Sequence, residues 1–329
     1  MSCEIKILSH ACLLVKSSTS SIVVDPWLIG SCYWRSWWNF PKPVFTESDL
    51  EDVDAVVISH VHWDHWHGPT LKKYFKGKTV VTAEDPNLRS EKDLRSIGFQ
   101  TIKKLPHSKS VKIGEIKITF YNFGLFLTDS AIVIEVGGTT ILNANDAKIA
   151  GWPLKKIVAN HGPIDFALRS HSSANSRICY EIPGDKAFVS DDREHYFRSF
   201  KLFMDAVKPR FAVPFASNHC HLNDDVIKFN SYISNPIELR DYVEKLNDDV
   251  DWDLKVMLPG SSWKSNGDFS FADEACFSES QNYLKKYLKD VNERIEISRN
   301  RELKLNITKK VLEKFHNMIK KSGISNCNI

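Results

Sequence analysis

Ile58-Ser59-His60-Val61-His62-Trp63-Asp64-His65-Trp66-His67-Gly68 is the stretch on which the reading of this 329-residue chain turns. Four imidazoles and one carboxylate fall within the eight residues from His60 to His67. The run just before them, Ala55-Val56-Val57-Ile58, is short, apolar and β-branched, which predicts a buried strand. The histidines therefore sit where a strand opens into a loop. A strand end holds side chains rigidly and lets several converge on one point. Neutral imidazoles with a carboxylate are natural ligands for zinc, iron or manganese. The spacing HxHxDH marks His60, His62, Asp64 and His65 as metal ligands. His67 falls outside it and reads as a supporting or surface residue. A merely His-rich polar loop would crowd five ionisable groups beside a buried strand with nothing to hold them.

Working outward, residues 5–8, 12–16 and 21–25 predict three short strands. Six of the nine tryptophans lie between Trp27 and Trp66, flanking the motif as core or as the wall of a pocket. Downstream, residues 69–74 and 91–96 predict helices and 79–82 a strand. Residues 111–113, 115–121, 130–136 and 139–143 alternate like antiparallel strands, with Gly137-Gly138 as a two-residue turn. Residues 193–207 carry Tyr196, Phe197, Phe200, Phe203 and Met204 on one helical stripe, and Pro209 stops it. A strand is predicted at 211–216, a helix at 237–246 and a last strand at 254–258. Helices at 279–297 and 302–320 follow. This periodicity alone gives mixed α and β.

Composition excludes several classes. With 42% hydrophobic and 26% charged residues, the chain reads as an ordinary soluble globular protein. No apolar run approaches the roughly 18 residues of a membrane span. Seven scattered cysteines form no disulfide framework, and the first residues lack a signal-peptide pattern. A cytoplasmic setting is expected. A net charge of +3 does not point to nucleic acid. The charge is uneven, however: residues 285–329 hold 12 Lys/Arg against 5 Asp/Glu. They read as a solvated helical face, or as a contact for an acidic partner or membrane surface. Residues 1–270 are expected to form the catalytic domain and 271–329 a basic helical extension.

Two further strands end in site-like residues. Thr140-Ile141-Leu142-Asn143-Ala144-Asn145-Asp146 leads to a carboxylate, and Phe211 to His221 ends in His219-Cys220-His221. Between them, Arg169 and His171 could bind an anionic group on a substrate, or simply belong to a loop.

The HxHxDH motif resembles that of the metallo-β-lactamase superfamily. That resemblance implies a four-layer αββα sandwich, one metal on His60 and His62, a second on Asp64 and His65, and Asp146 bridging. Asp25-Pro26-Trp27-Leu28, Trp37-Trp38, Ile58-Ser59-His60 with Asp64-His65, Ile141-Leu142-Asn143 and Pro214-Phe215-Ala216 resemble the lactamase-like half of the CMP-N-acetylneuraminate hydroxylases. So do His221 with Asp224, Ile227 and Lys228, and Asn235-Pro236 with Glu238-Leu239. The likeness covers about residues 20–260 and implies His221 as the last metal ligand, with His219 as the alternative. Ser9-His10-Ala11 is similar to N-acylphosphatidylethanolamine phospholipases and UlaG-like lactonases, which implies that His10 faces the site and its substrate; a satisfied turn histidine is the other reading.

Two departures qualify the resemblance. The family's third histidine for metal one is replaced by Leu125, with His107 too early and His161 too late to substitute. Metal one is then weak, absent or differently ligated. Nor does any Cys offer the Cys-x-His and Cys-x-x-His pairs of a Rieske cluster. The expected function is therefore a zinc-dependent hydrolase, in which water activated by one or two ions attacks a phosphodiester, amide or lactone, on a sugar or nucleotide sugar. Asp64 or Asp146 would orient the water. The alternative is an iron-dependent oxidoreductase served by a separate electron donor.

Overall fold

The computed structural model describes residues 2–85, 89–123, 129–172, 193–224, 226–246 and 249–321. Leu125 lies outside them. The chain divides into two units, Met1–Ser280 and Gln281–Ile329.

In the first unit, two sheets face each other. One is eight-stranded, in the order Phe269–Ser270, Ser262–Lys264, Glu4–Ile7, Leu13–Lys16, Ser21–Val24, Ala55–Ile58, Thr79–Ala83, Ile102–Leu105. The other is seven-stranded: Asp253–Leu254, Phe211–Pro214, Phe166–Arg169, Thr139–Asn145, Asp129–Val136, Ile116–Phe123, Lys109–Ile113. Strand alternation explains the layering. Ala55 and Val57 point into the core between the sheets, while Val56 and Ile58 point outward to Leu71, Phe75 and Leu94. Across the sandwich, Ile132 and Ile134 face that core while Ala131 and Val133 face helical residues Leu154, Ile157, Phe200 and Met204. Helices thus cover both outer faces, giving the four-layer αββα sandwich.

Parallel pairings place the strand ends that matter. Ser21–Val24, Ala55–Ile58 and Thr79–Ala83 run parallel in one sheet; Thr139–Asn145, Phe166–Arg169 and Phe211–Pro214 do so in the other. Parallel neighbours need crossovers, which the Gly68–Tyr74, Gly151–His161 and Arg193–Val207 helices supply. The C-terminal ends of each group therefore open on one side. The Gly137-Gly138 turn joins its strands with positive φ at both residues, 58° and 80°, as a tight hairpin turn requires.

The helix at Gly151–His161 and the strand at Phe166–Arg169 were not foreseen, and the last predicted strand shrinks to Asp253–Leu254. Its continuation, Val256 to Leu258, is buried without joining the ladder. Phe120 is fully buried between the sheets. Phe120→Ala is expected to lower stability by about 3–5 kcal/mol in denaturant unfolding, since it leaves a cavity in a packed core. A loss under about 1 kcal/mol would mean that the two sheets close over the gap.

Candidate metal centre

The motif leaves the Ala55–Ile58 strand and folds back at once. His65 and Trp66 backbone amides both donate to the His62 carbonyl, at 3.0 and 2.7 Å. This turn swings His60, Asp64 and His65 toward one point. His67 then caps the Gly68–Tyr74 helix, its Nδ1 accepting from the Thr70 amide at 3.3 Å. Burial pushes its imidazole down to about 4. His67 thus supports the loop.

Among the described residues three groups of potential ligand atoms form, each with all its atoms within 4.8 Å of one another: His60, His62 and Asp129; His60, His65 and Asp146; and His10, Asp64 and His65. Asp129 was missed by sequence reasoning. It opens the Asp129–Val136 strand opposite Phe123, and that register delivers it to His60 and His62. Its only sequence signal is an acid at the mouth of a predicted strand. His10, expected to face the site and its substrate, joins Asp64 and His65 as a potential ligand.

The ring nitrogens test whether a cation fits. His10 Nδ1 donates to the Asn218 carbonyl at 2.9 Å. His65 Nδ1 donates to Asp25 Oδ2 at 2.8 Å. The Ser59 hydroxyl gives its proton to Asp25 Oδ2 at 2.5 Å, so its oxygen accepts from His60 Nδ1 at 2.9 Å. In the neutral rings each Nε2 is then a bare lone pair. Yet these lone pairs face carboxylates: His10 Nε2 lies 3.2 Å from Asp64 Oδ2, and His65 Nε2 lies 3.3 Å from Asp146 Oδ2 and 3.4 Å from Asp64 Oδ2. His60 Nε2 is 3.9 Å from Asp146 Oδ2. All three Nε2 atoms are buried without a hydrogen bond. Lone pairs converging on lone pairs need a positive charge between them, and the donor set fits a divalent cation.

The carboxylates show the same demand for positive charge in their effect on His65, where a proton would meet it in part. Burial opposes a charge on His65, yet Asp64, Asp25 and Asp146 drive its value well above ordinary. Burial likewise opposes ionisation of Asp64, but His65, His10 and Tyr33 hold it well below the usual carboxylate range. Asp146 is lowered too, as His65 outweighs burial. Burial, with the charge of His65, keeps the His60 imidazole well below its ordinary value. Asp129 is raised, chiefly by burial.

Beneath these groups lies a hub. Asp25 is fully buried, with a left-handed φ of 46°. Its carboxylate accepts from the Ser59 amide at 2.7 Å, the Ser59 hydroxyl, His65 Nδ1 and Asn145 Nδ2 at 2.7 Å. Asn145 precedes Asp146, so one buried carboxylate ties together both strand ends that carry candidate ligands. Above them, the Tyr33 hydroxyl donates to Asp64 Oδ1 at 2.5 Å. Tyr33 stacks on Trp63 at 5.8 Å, and Trp34 tilts against Trp63 at 4.8 Å. Trp27, Trp37 and Trp38 are buried, whereas Trp34 and Trp63 are 77% and 40% exposed. The aromatic stretch is thus partly core and partly an open wall.

His221 lies one ring further out. Its Nδ1 donates to the Ser36 carbonyl at 2.8 Å, and its ring meets His219 at 5.5 Å. His219 in turn stacks on Trp37 at 3.7 Å and meets His10 at 6.1 Å. Neither enters the three groups. Arg169 is buried over the Phe203 ring at 4.4 Å, with Nη2 on Ser199 Oγ at 3.3 Å. His171 is fully buried; burial and the nearby His10 push it down to about 3. Both therefore lie inside the protein, not on an open surface. A comparison of His10→Ala with His221→Ala by metal retention after dialysis should show the larger loss for His10. The reverse result would hand the ligand role to His221, as the sequence motif implies.

Residues 4–161 match the family described as Beta-lactamase superfamily domain. A protein of Mycolicibacterium smegmatis named as a Rieske 2Fe-2S iron-sulfur protein is 27% identical over 79% of this chain and 53% of its own length. The cytidine monophosphate-N-acetylneuraminic acid hydroxylase of Mus musculus is 26% identical over 76% of this chain and 45% of its own. The chain spans about half the length of these curated relatives. Among solved structures, CmlA, a diiron beta-hydroxylase from Streptomyces venezuelae, shares the fold with a TM-score of 0.56 at 18% identity, over 80% of this chain and 53% of CmlA. An isothiocyanate hydrolase from Delia radicum gut bacteria does so with 0.55 at 14%, over 79% and 98%. The four layers, the strand-end histidine motif and these likenesses agree, and residues 4–161 carry a beta-lactamase superfamily domain.

Proposed function

We propose that this protein is an iron-dependent oxygenase that hydroxylates a sugar or nucleotide sugar, using electrons from a separate iron–sulfur protein. One observation carries the reading: His60, His62 and Asp129 form a group of two imidazoles and one carboxylate. That combination is the ligand set of non-haem iron oxygenases; catalytic zinc in hydrolases takes it too, so the hydroxylase-named relatives are what weight the reading toward iron. The sequence relatives named for hydroxylation and for a Rieske cluster support it. Metal one would be held by His60, His62 and Asp129, metal two by Asp64, His65 and His10, with Asp146 shared; the farther His219 and His221 are the reserve donors. Bound iron would supply the redox chemistry that activates O₂. The reaction balances as one substrate C–H bond, one O₂, two electrons and two protons giving C–OH and water.

The chain's own residues do the rest. Asp25 fixes the His65 ring directly and the His60 ring through Ser59. Tyr33 engages Asp64 Oδ1 and leaves Oδ2 facing His10 and His65. Trp34 and Trp63 offer an exposed apolar wall around Tyr33, which holds Asp64. The free, buried cysteines Cys3, Cys12, Cys32, Cys220 and Cys276 suit the reducing cytoplasm that this reading assigns.

Zinc in the same ligands would instead serve hydrolysis, so the test is metal identity. Protein purified anaerobically without added metal should contain iron and consume O₂ when given a chemical reductant. Asp129→His should shift its preference from iron to zinc and abolish that uptake. A zinc-filled wild-type protein that cleaves a model phosphodiester, amide or lactone would overturn the reading.

A further inference from the structure

The Lys309–Lys321 helix supplies none of the candidate ligands named above. At about 100° per residue, Val311, Leu312, Phe315 and Met318 fall within an arc of about 120°. Lys309, Lys310, Glu313, Lys314, His316 and Asn317 occupy the remaining arc. The apolar side chains stand in solvent: Val311, Leu312, Phe315 and Met318 are 51%, 56%, 56% and 62% exposed. Apolar surface continues N-terminally through Leu303, Leu305 and Ile307, all exposed. The segment 309–321 holds five lysines against one glutamate. Lys314 borders the Met318 edge of the stripe, and Lys309 and His316 border the Leu312 edge. Lysines so placed can lay their stems along an apolar surface and keep the ammonium in a polar layer.

We propose that this helix lies flat on an anionic lipid bilayer, apolar arc down and lysines among the phosphate headgroups. The two halves of its surface choose this occupant. A second copy of the same helix would cover the apolar arc but set the lysines that border it, Lys309 and Lys314, against those of the copy with no acid at either edge. A purely polar acidic partner would match the lysines and leave the arc wet. An anionic interface satisfies both at once. Among the described residues no helix is long and apolar enough to cross a membrane, so the association is with the surface.

The test sediments the full chain with phosphatidylcholine vesicles, with and without phosphatidylserine. Binding should be about tenfold or more tighter with phosphatidylserine and should weaken in high salt. L312E/F315E changes two exposed positions, so it should keep the fold and metal content while losing about tenfold or more in vesicle binding. K309E/K310E/K314E should lose the preference for phosphatidylserine. The proposal is overturned by absent binding, by equal binding to both vesicles, or by undiminished binding in L312E/F315E. It is equally overturned if the wild-type chain is a dimer that L312E/F315E makes monomeric, since a second copy would then cover the face.

Discussion

Asp146→Ala is expected to strip the protein of nearly all bound metal while leaving it folded. Asp146 Oδ2 lies within reach of both His60 and His65, at 3.9 and 3.3 Å. It stands between the two halves of the centre, so its loss affects both. Removing a mere supporting partner already costs about ten- to a hundredfold in metal affinity, and a shared ligand should exceed that range at each metal. The fold should survive because Asp146 lies just past the Thr139–Asn145 strand and outside the apolar clusters. Elemental analysis after dialysis against a weak chelator reads the first effect, and thermal unfolding the second. A variant that retains its full metal complement would remove Asp146 from the centre.

Asp25→Asn should lose about ten- to a hundredfold in metal affinity, although Asp25 belongs to none of the three ligand groups. Its carboxylate gathers the Ser59 amide and hydroxyl, His65 and Asn145. An amide in the same place turns one acceptor into a donor. One of these partners then faces a donor, and His65 loses the charge that fixes its tautomer and aim. Each buried donor left unmade costs about 1–3 kcal/mol, so stability falls as well. Asn is the informative replacement because it tolerates the left-handed backbone at Asp25, which Ala does not. Restoring the metal content with excess iron, at unchanged pH, should recover the reductant-dependent O₂ uptake of Asp25→Asn in part. Metal retention equal to wild type would reduce Asp25 to a structural acid.

The parts of this protein that were legible in the sequence share one property: their signal is local. HxHxDH is contiguous, the helix at Arg193–Val207 shows its stripe over fifteen residues, and the Gly137-Gly138 turn is named by its two glycines. Asp129 was hidden because nothing near it in sequence is metal-like; pairing with Phe123 brings it to the centre. The three-stranded ribbon of Ser31–Cys32, Trp37–Asn39 and His219–Cys220 joins segments that are far apart in sequence, with strands too short to show a period. Phe166–Arg169 is buried on every side, so it lacks the alternation that marks a half-buried strand. The Gly151–His161 helix begins with Gly151 and contains Pro153 near its start, residues that read as a turn.

The Gly137-Gly138 turn has a reach beyond its own corner. From Val136 back to Asp129 the strand runs eight residues, roughly 27 Å at the usual rise. The ladder to Thr139–Asn145 starts at that turn, and the same strand pairs with Ile116–Phe123 on its other side. A slip of one residue would rotate every side chain to the opposite face. Ile132 and Ile134 would leave the core, and the Asp129 carboxyl would leave the histidines. Two glycines far from the metal centre thus act as its ruler: hydrophobic registration along the strand sets the ligand distance, so oiling the core and aiming the acid are one act of folding.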